Sequence, residues 1–179
     1  VERRRAGSWK GRLAAILRLV ALVLFVLLVQ LTLIRRIRIL GVGPDLALIL
    51  VVYSALWAGA VGGTAAGFLV GLLQGLSSPV HFGSHALAKS IVGFGVGTLS
   101  PHVVRESLAT QAAIIVGTQL VHDLIFLPLT MDTVGSAFVV LGAQTLPGAA
   151  YSAAVGCLIY RVFLKPIGMD LTSHGTSLL

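Results

Sequence analysis

The sequence predicts an all-α, polytopic integral membrane protein with six transmembrane helices in a compact bundle joined by short loops. Three observations carry this prediction. Of 179 residues, 56% are hydrophobic and only 11% charged, with mean hydropathy +0.98, whereas a soluble domain has about a quarter of its residues charged. No Lys, Arg, Asp or Glu occurs between Leu46 and Ala88, so a helix there offers no charged face to water. Finally, most bases flank the apolar runs. The net charge of +7, which in a soluble chain would suggest nucleic acid, therefore reports topology, and the expected surroundings are a lipid bilayer with no nucleic-acid partner.

A transmembrane helix needs about 20 apolar residues to cross a hydrocarbon core of about 30 Å. A basic tail over residues 1–12, with Arg3, Arg4, Arg5, Lys10 and Arg12, precedes a transmembrane domain over 13–166 and a polar tail over 167–179. The first helix, 13–34, is too long for a signal peptide and lacks its small-residue cleavage site, so it reads as a retained anchor. Pro44 opens the second, 44–58, where a fixed φ suits the first turn and Asp45 lies near the positive end of the helix dipole. This segment is short. Trp57, Gly59, Gly62 and Gly63 mark a tight reversal into the third helix, 61–76. The fourth runs over 85–99, ending before Pro101, and the fifth over 108–129. The sixth, 141–164, carries Pro147 and Gly148 near its start, where they can kink it.

With six helices, both tails and the loop around Arg105 fall on one side, together with Arg161 and Lys165. The other side holds mainly Arg35, Arg36 and Arg38. The positive-inside rule then places both termini in the cytoplasm.

The most specific pattern is a glycine every fourth residue: Gly59, Gly63, Gly67, Gly71 and Gly75. In lipid, helices associate through close packing, and a glycine stripe lets another backbone approach. Gly93 and Gly97 on the fourth helix, and Gly148, Ser152 and Gly156 on the sixth, repeat the spacing. The stripe serves either packing within the bundle or a partner helix.

Ionisable groups at membrane depth are costly, and Lys89, His122 and Asp123 are the candidates here, with Gln74 and Gln119 as polar neighbours. The fourth and fifth helices bring Lys89 and Asp123 to a common depth, which predicts an ion pair between them, acting as a clamp or lining a cleft. His81 and His85 are four residues apart, a spacing that suits a metal, but no Cys or Glu joins them and helix at His81 is doubtful, so no metal is expected. Cys157 stands alone in an apolar stretch, which excludes a disulfide framework. No GxSxG, HExxH, P-loop or paired-carboxylate motif occurs. Neither catalysis nor a cofactor is expected.

The run Ile39-Leu40-Gly41-Val42-Gly43-Pro44-Asp45-Leu46, followed by Gly67-Phe68-Leu69-Val70-Gly71-Leu72-Leu73 and by Phe82-Gly83-Ser84-His85-Ala86-Leu87, resembles the bacterial rod shape-determining MreD family. The resemblance extends over about residues 28–167, most of the chain. Pro44-Asp45-Leu46 and the Gly67 to Leu73 stretch carry most of it, and Gln74 stands where an acid is expected. It implies a non-catalytic inner-membrane scaffold with a fold similar to the substrate-binding components of energy-coupling-factor vitamin transporters. Its implied partners are an MreC-like bitopic protein and, directly or through it, a RodA-like glycosyltransferase and a class B penicillin-binding protein of peptidoglycan synthesis. The competing expectation is a vitamin-binding transporter subunit, with His85, Lys89, His122 and Asp123 around a pocket. Against it, the alanine-xxx-alanine contact that such subunits carry on the first helix is missing: Arg18 follows Ala14, Leu19 follows Ala15 and Phe25 follows Ala21.

Overall fold

The computed structural model describes residues 42–76, 83–103, 107–130, 135 and 139–164. The expected first helix, the cluster of Arg35, Arg36 and Arg38, His81 and both tails lie outside the described residues. Those described are helical apart from caps and short connections. Helix α1 is Leu46–Gly75, α2 is Ser84–Leu99, α3 is Leu108–Thr130 and α4 is Leu146–Ile159. A 3-10 turn, Ser100–His102, containing Pro101, ends α2. Two π-helical turns, Leu141–Thr145 and Tyr160–Leu164, bracket α4. The kink expected at Pro147 is thus a π-helical turn that ends just before it. Among the described residues, α3, and α1 when counted as one segment, have the length and hydropathy of a membrane-crossing helix.

Helix α1 is two helices joined at Gly59, whose φ of 71° and ψ of −165° are open to a residue without a Cβ. The expected second and third helices are its two arms, 46–58 and 60–75, and they fold back on each other. Ala47 and Val51 of the first arm accordingly share a buried cluster with Val70 of the second. At 1.5 Å per residue the arms rise about 20 and 24 Å, and α3 about 35 Å. Helix α1 begins two residues later than expected. Asp45 is its N-cap, accepting a hydrogen bond from the Leu48 N–H at 2.9 Å, so Pro44 precedes the cap and lies outside the first turn.

The first arm of α1 is the core of the bundle. Leu48, Ile49, Val52, Tyr53, Ala55 and Leu56 pack against Val92 and Val96 of α2, Ile115 of α3, Ala153 of α4 and Tyr160. The Tyr53 and Tyr160 rings stack at 6.2 Å, and the Tyr53 hydroxyl donates to the Gly156 carbonyl at 2.9 Å while lying 3.1 Å from Gln111 Oε1. A phenol buried in an apolar bundle needs such a partner.

Packing between the second arm of α1 and α2 is backbone on backbone. A Cβ at Gly63, Gly67 or Gly71 would overlap the carbonyl oxygens of Gly93, Lys89 and His85 in turn, and one at Gly97 would overlap Ala60. These contacts descend one turn at a time in antiparallel register, so the stripe serves packing within the bundle at Gly63, Gly67, Gly71, Gly93 and Gly97. Gly59 makes the reversal and Gly75 is buried in the last turn. On α4, Gly148 meets the Val42 side chain and Gly156 meets Ile115, which are side-chain contacts and not close backbone approaches. Overpacking a tight contact costs about 1–3 kcal/mol. Gly67→Ala is therefore expected to lower the unfolding free energy in detergent by an amount in that range. Gly117→Ala, whose Cβ would meet nothing within 4 Å, is expected to be neutral or to stabilise α3 by up to about 1 kcal/mol. Equal effects of the two would show that the close approach is no constraint.

Candidate functional site

Asp45, Lys89, Gln119, His122, Asp123, Thr145 and Ser152 collect where the start of α1, the start of α2, the middle of α3 and the start of α4 meet, whereas the buried Gln111 and Ser100 lie near the start of α3 and the end of α2. Asp45 has two tasks there because a carboxylate has two oxygens. Oδ1 caps α1, and Oδ2 accepts from Lys89 Nζ at 2.7 Å. The Asp45 N–H in turn donates to Ser152 Oγ on α4 at 3.0 Å, and Ser152 is fully buried. One residue thus ties α1 to α2 and α4. Lys89 is 0% exposed, and an unpaired ammonium at that burial would cost several kcal/mol.

The expected ion pair between Lys89 and Asp123 is corrected by this geometry. Asp123 faces α4: it accepts from Thr145 Oγ1 at 2.6 Å, from Gln119 Nε2 at 3.2 Å and from His122 Nδ1 at 2.8 Å. Depth placed Lys89 and Asp123 at one level correctly, but the direction in which each leaves its helix decides the partner. Asp45, sharing that level at the N-terminus of α1, is nearer to Lys89. A cap residue is easily read as satisfied by its own helix, although only one of its oxygens is used that way. Thr145 and Ser152, the other polar members of the cluster, carry no signal in the sequence that distinguishes them from packing residues.

His122 is held between two environments. Its Nδ1 faces Asp123, and its ring stacks with His85 at 6.1 Å and with Phe126 at 5.5 Å, while His85 lies 4.2 Å from Phe126. His122 Nε2 and Gln119 Oε1 are buried without a hydrogen-bond partner, as is Gln74 Oε1 on the second arm of α1. Among the described residues, no group of three or more His, Cys, Asp and Glu is arranged to hold a metal. The arrangement is therefore a set of clasps between helices, with a short run of unsatisfied polar atoms at its centre. No family model, no curated protein and no solved structure matches this chain.

Asparagine caps a helix about as well as aspartate, so Asp45→Asn keeps the cap and removes only the partner of Lys89. Breaking a buried pair from one side costs about 3–5 kcal/mol, and unfolding of purified Asp45→Asn is expected to show a loss of that order. Asp123→Asn, which replaces charge-assisted hydrogen bonds from neutral donors with weaker ones and leaves Lys89 paired, is expected to cost about 1–3 kcal/mol. The opposite ranking would return Lys89 to Asp123.

Proposed function

We propose that the chain is an MreD-like, non-catalytic scaffold of the bacterial cell-elongation machinery, crossing the inner membrane six times with both termini in the cytoplasm. In that role it binds an MreC-like bitopic protein and, directly or through it, supports a RodA-like glycosyltransferase and a class B penicillin-binding protein. The sequence resemblance names the machinery. The observation that favours a scaffold is the use made of the polar groups: Lys89 with Asp45, and Asp123 with His122, Gln119 and Thr145, join one helix to the next or one turn to its neighbour. The surface left over is apolar, with Trp57, Phe68, Leu87, Phe94 and Leu124 each at least half exposed. Such a surface suits lipid and partner helices.

A vitamin-binding transporter subunit would require Lys89 to face a ligand. Its complete burial and its bond to Asp45 speak for the scaffold. Affinity purification of the tagged protein from its native membrane in mild detergent, followed by mass spectrometry, distinguishes the two. Recovery of a bitopic coiled-coil protein with cell-wall polymerases is the expected result, and depletion of the chain is expected to turn rods into spheres. Recovery of ATPase subunits with a coupling membrane protein, or of a tightly held vitamin, would overturn the scaffold reading.

A further inference from the structure

Three side chains near the Asp45 end of the bundle have hydrogen-bonding capacity that the protein does not use. His122 Nε2 and Gln119 Oε1 have no partner, and their residues are only 3% and 8% exposed. Lys89, fully buried, gives one bond to Asp45, whereas an ammonium carries three N–H donors. Asp123 decides what the two atoms on α3 can do. A carboxylate only accepts, so the imidazole proton facing it is on Nδ1, and Nε2 of the neutral ring presents a lone pair. Gln119 likewise gives its Nε2 to Asp123, which leaves its carbonyl oxygen. Two acceptors on α3 and the spare donors of Lys89 on α2 are therefore left over.

The register brings them together. His85 of α2 stacks against His122 of α3. Lys89 is four residues further along α2, and Gln119 is three residues back along α3. In antiparallel helices these steps run in the same direction, by about 6 Å and 4.5 Å. Lys89 and Gln119 thus share a level one turn from the stacked rings, and His122 lies within electrostatic reach of both Lys89 and Asp45. None of the three atoms bonds directly to another.

The geometry points to a binding site for a single water molecule between Lys89, Gln119 and His122. The water accepts from Lys89 Nζ and donates its two hydrogens to His122 Nε2 and Gln119 Oε1, making the three bonds usual for a buried water. An anion would meet two acceptors there, and an apolar group would leave both acceptors unpaired and the spare Lys89 donors unused. With the water in place, the two clasps become one network: Asp45 to Lys89, through the water to His122, then to Asp123 and Thr145. This joins Lys89 to Asp123 indirectly, across the distance that the direct pair does not span.

Magic-angle-spinning NMR on the full chain, labelled with nitrogen-15 histidine and reconstituted in lipid bilayers, tests the site without altering it. The expected spectrum shows His122 protonated at Nδ1, an Nε2 resonance moved towards the hydrogen-bonded range for an unprotonated nitrogen, and a water-proton correlation to Nε2. Protonation at Nε2, or no water correlation, would overturn the proposal. A double-mutant cycle of Lys89→Met and Gln119→Met in unfolding experiments adds a second reading. A bridged pair is expected to depart from additivity by at least about fivefold in the unfolding equilibrium constant, and an additive cycle would count against the water.

Discussion

A lysine ammonium enclosed by apolar helices has to be met by a carboxylate, and the rest of this bundle is arranged around the one that meets it. Asp45 satisfies a helix terminus with one oxygen and Lys89 with the other, while its own N–H reaches Ser152. The cap sets where α1 starts, and the lysine sets how far along α2 that start lies. The serine brings in α4. Because each bond excludes water from its neighbours, the three strengthen one another in a low-dielectric interior.

Register is reinforced from the other side of α2. The glycines of the second arm of α1 let its backbone meet the carbonyls of Gly93, Lys89 and His85, so the same turn of α2 that carries the buried lysine also carries the closest helix contact. Sliding α2 by one turn would break the ion pair, whereas the four-residue repeat of the stripe would still meet backbone of α2, so Lys89 selects one register among those the glycines allow. Such coupling of polar and steric constraints gives a bundle of apolar helices, which lipid alone would not orient, a single arrangement.

This economy bears on function. In a protein that binds small polar substrates, polar side chains converge on open space. Here they converge on each other, and the exposed flanks of the helices are apolar. The proposed water extends this logic, since it converts leftover donors and acceptors into a further tie between α2 and α3.

By itself the sequence indicated the helical class, the boundaries of the described helices to within a few residues, a reversal between Trp57 and Gly63 and a close-packing stripe at Gly63, Gly67, Gly71, Gly93 and Gly97, while leaving open whether that stripe met this bundle or a partner. Each of these follows from local causes: apolar run length, the lack of a Cβ, and a four-residue spacing that stays on one helix face. It also picked out Lys89, His122, Asp123 and Gln119 as the polar residues that the interior must accommodate. Only the tertiary structure decided who meets whom. Depth along a helix can be counted from the sequence, but the rotation of each helix about its axis is set by packing against all its neighbours together. For that reason Lys89 pairs with Asp45, Asp123 turns to Thr145 across the π-helical turn, and the stripe glycines Gly148 and Gly156 of α4 receive side chains where a close backbone approach was expected.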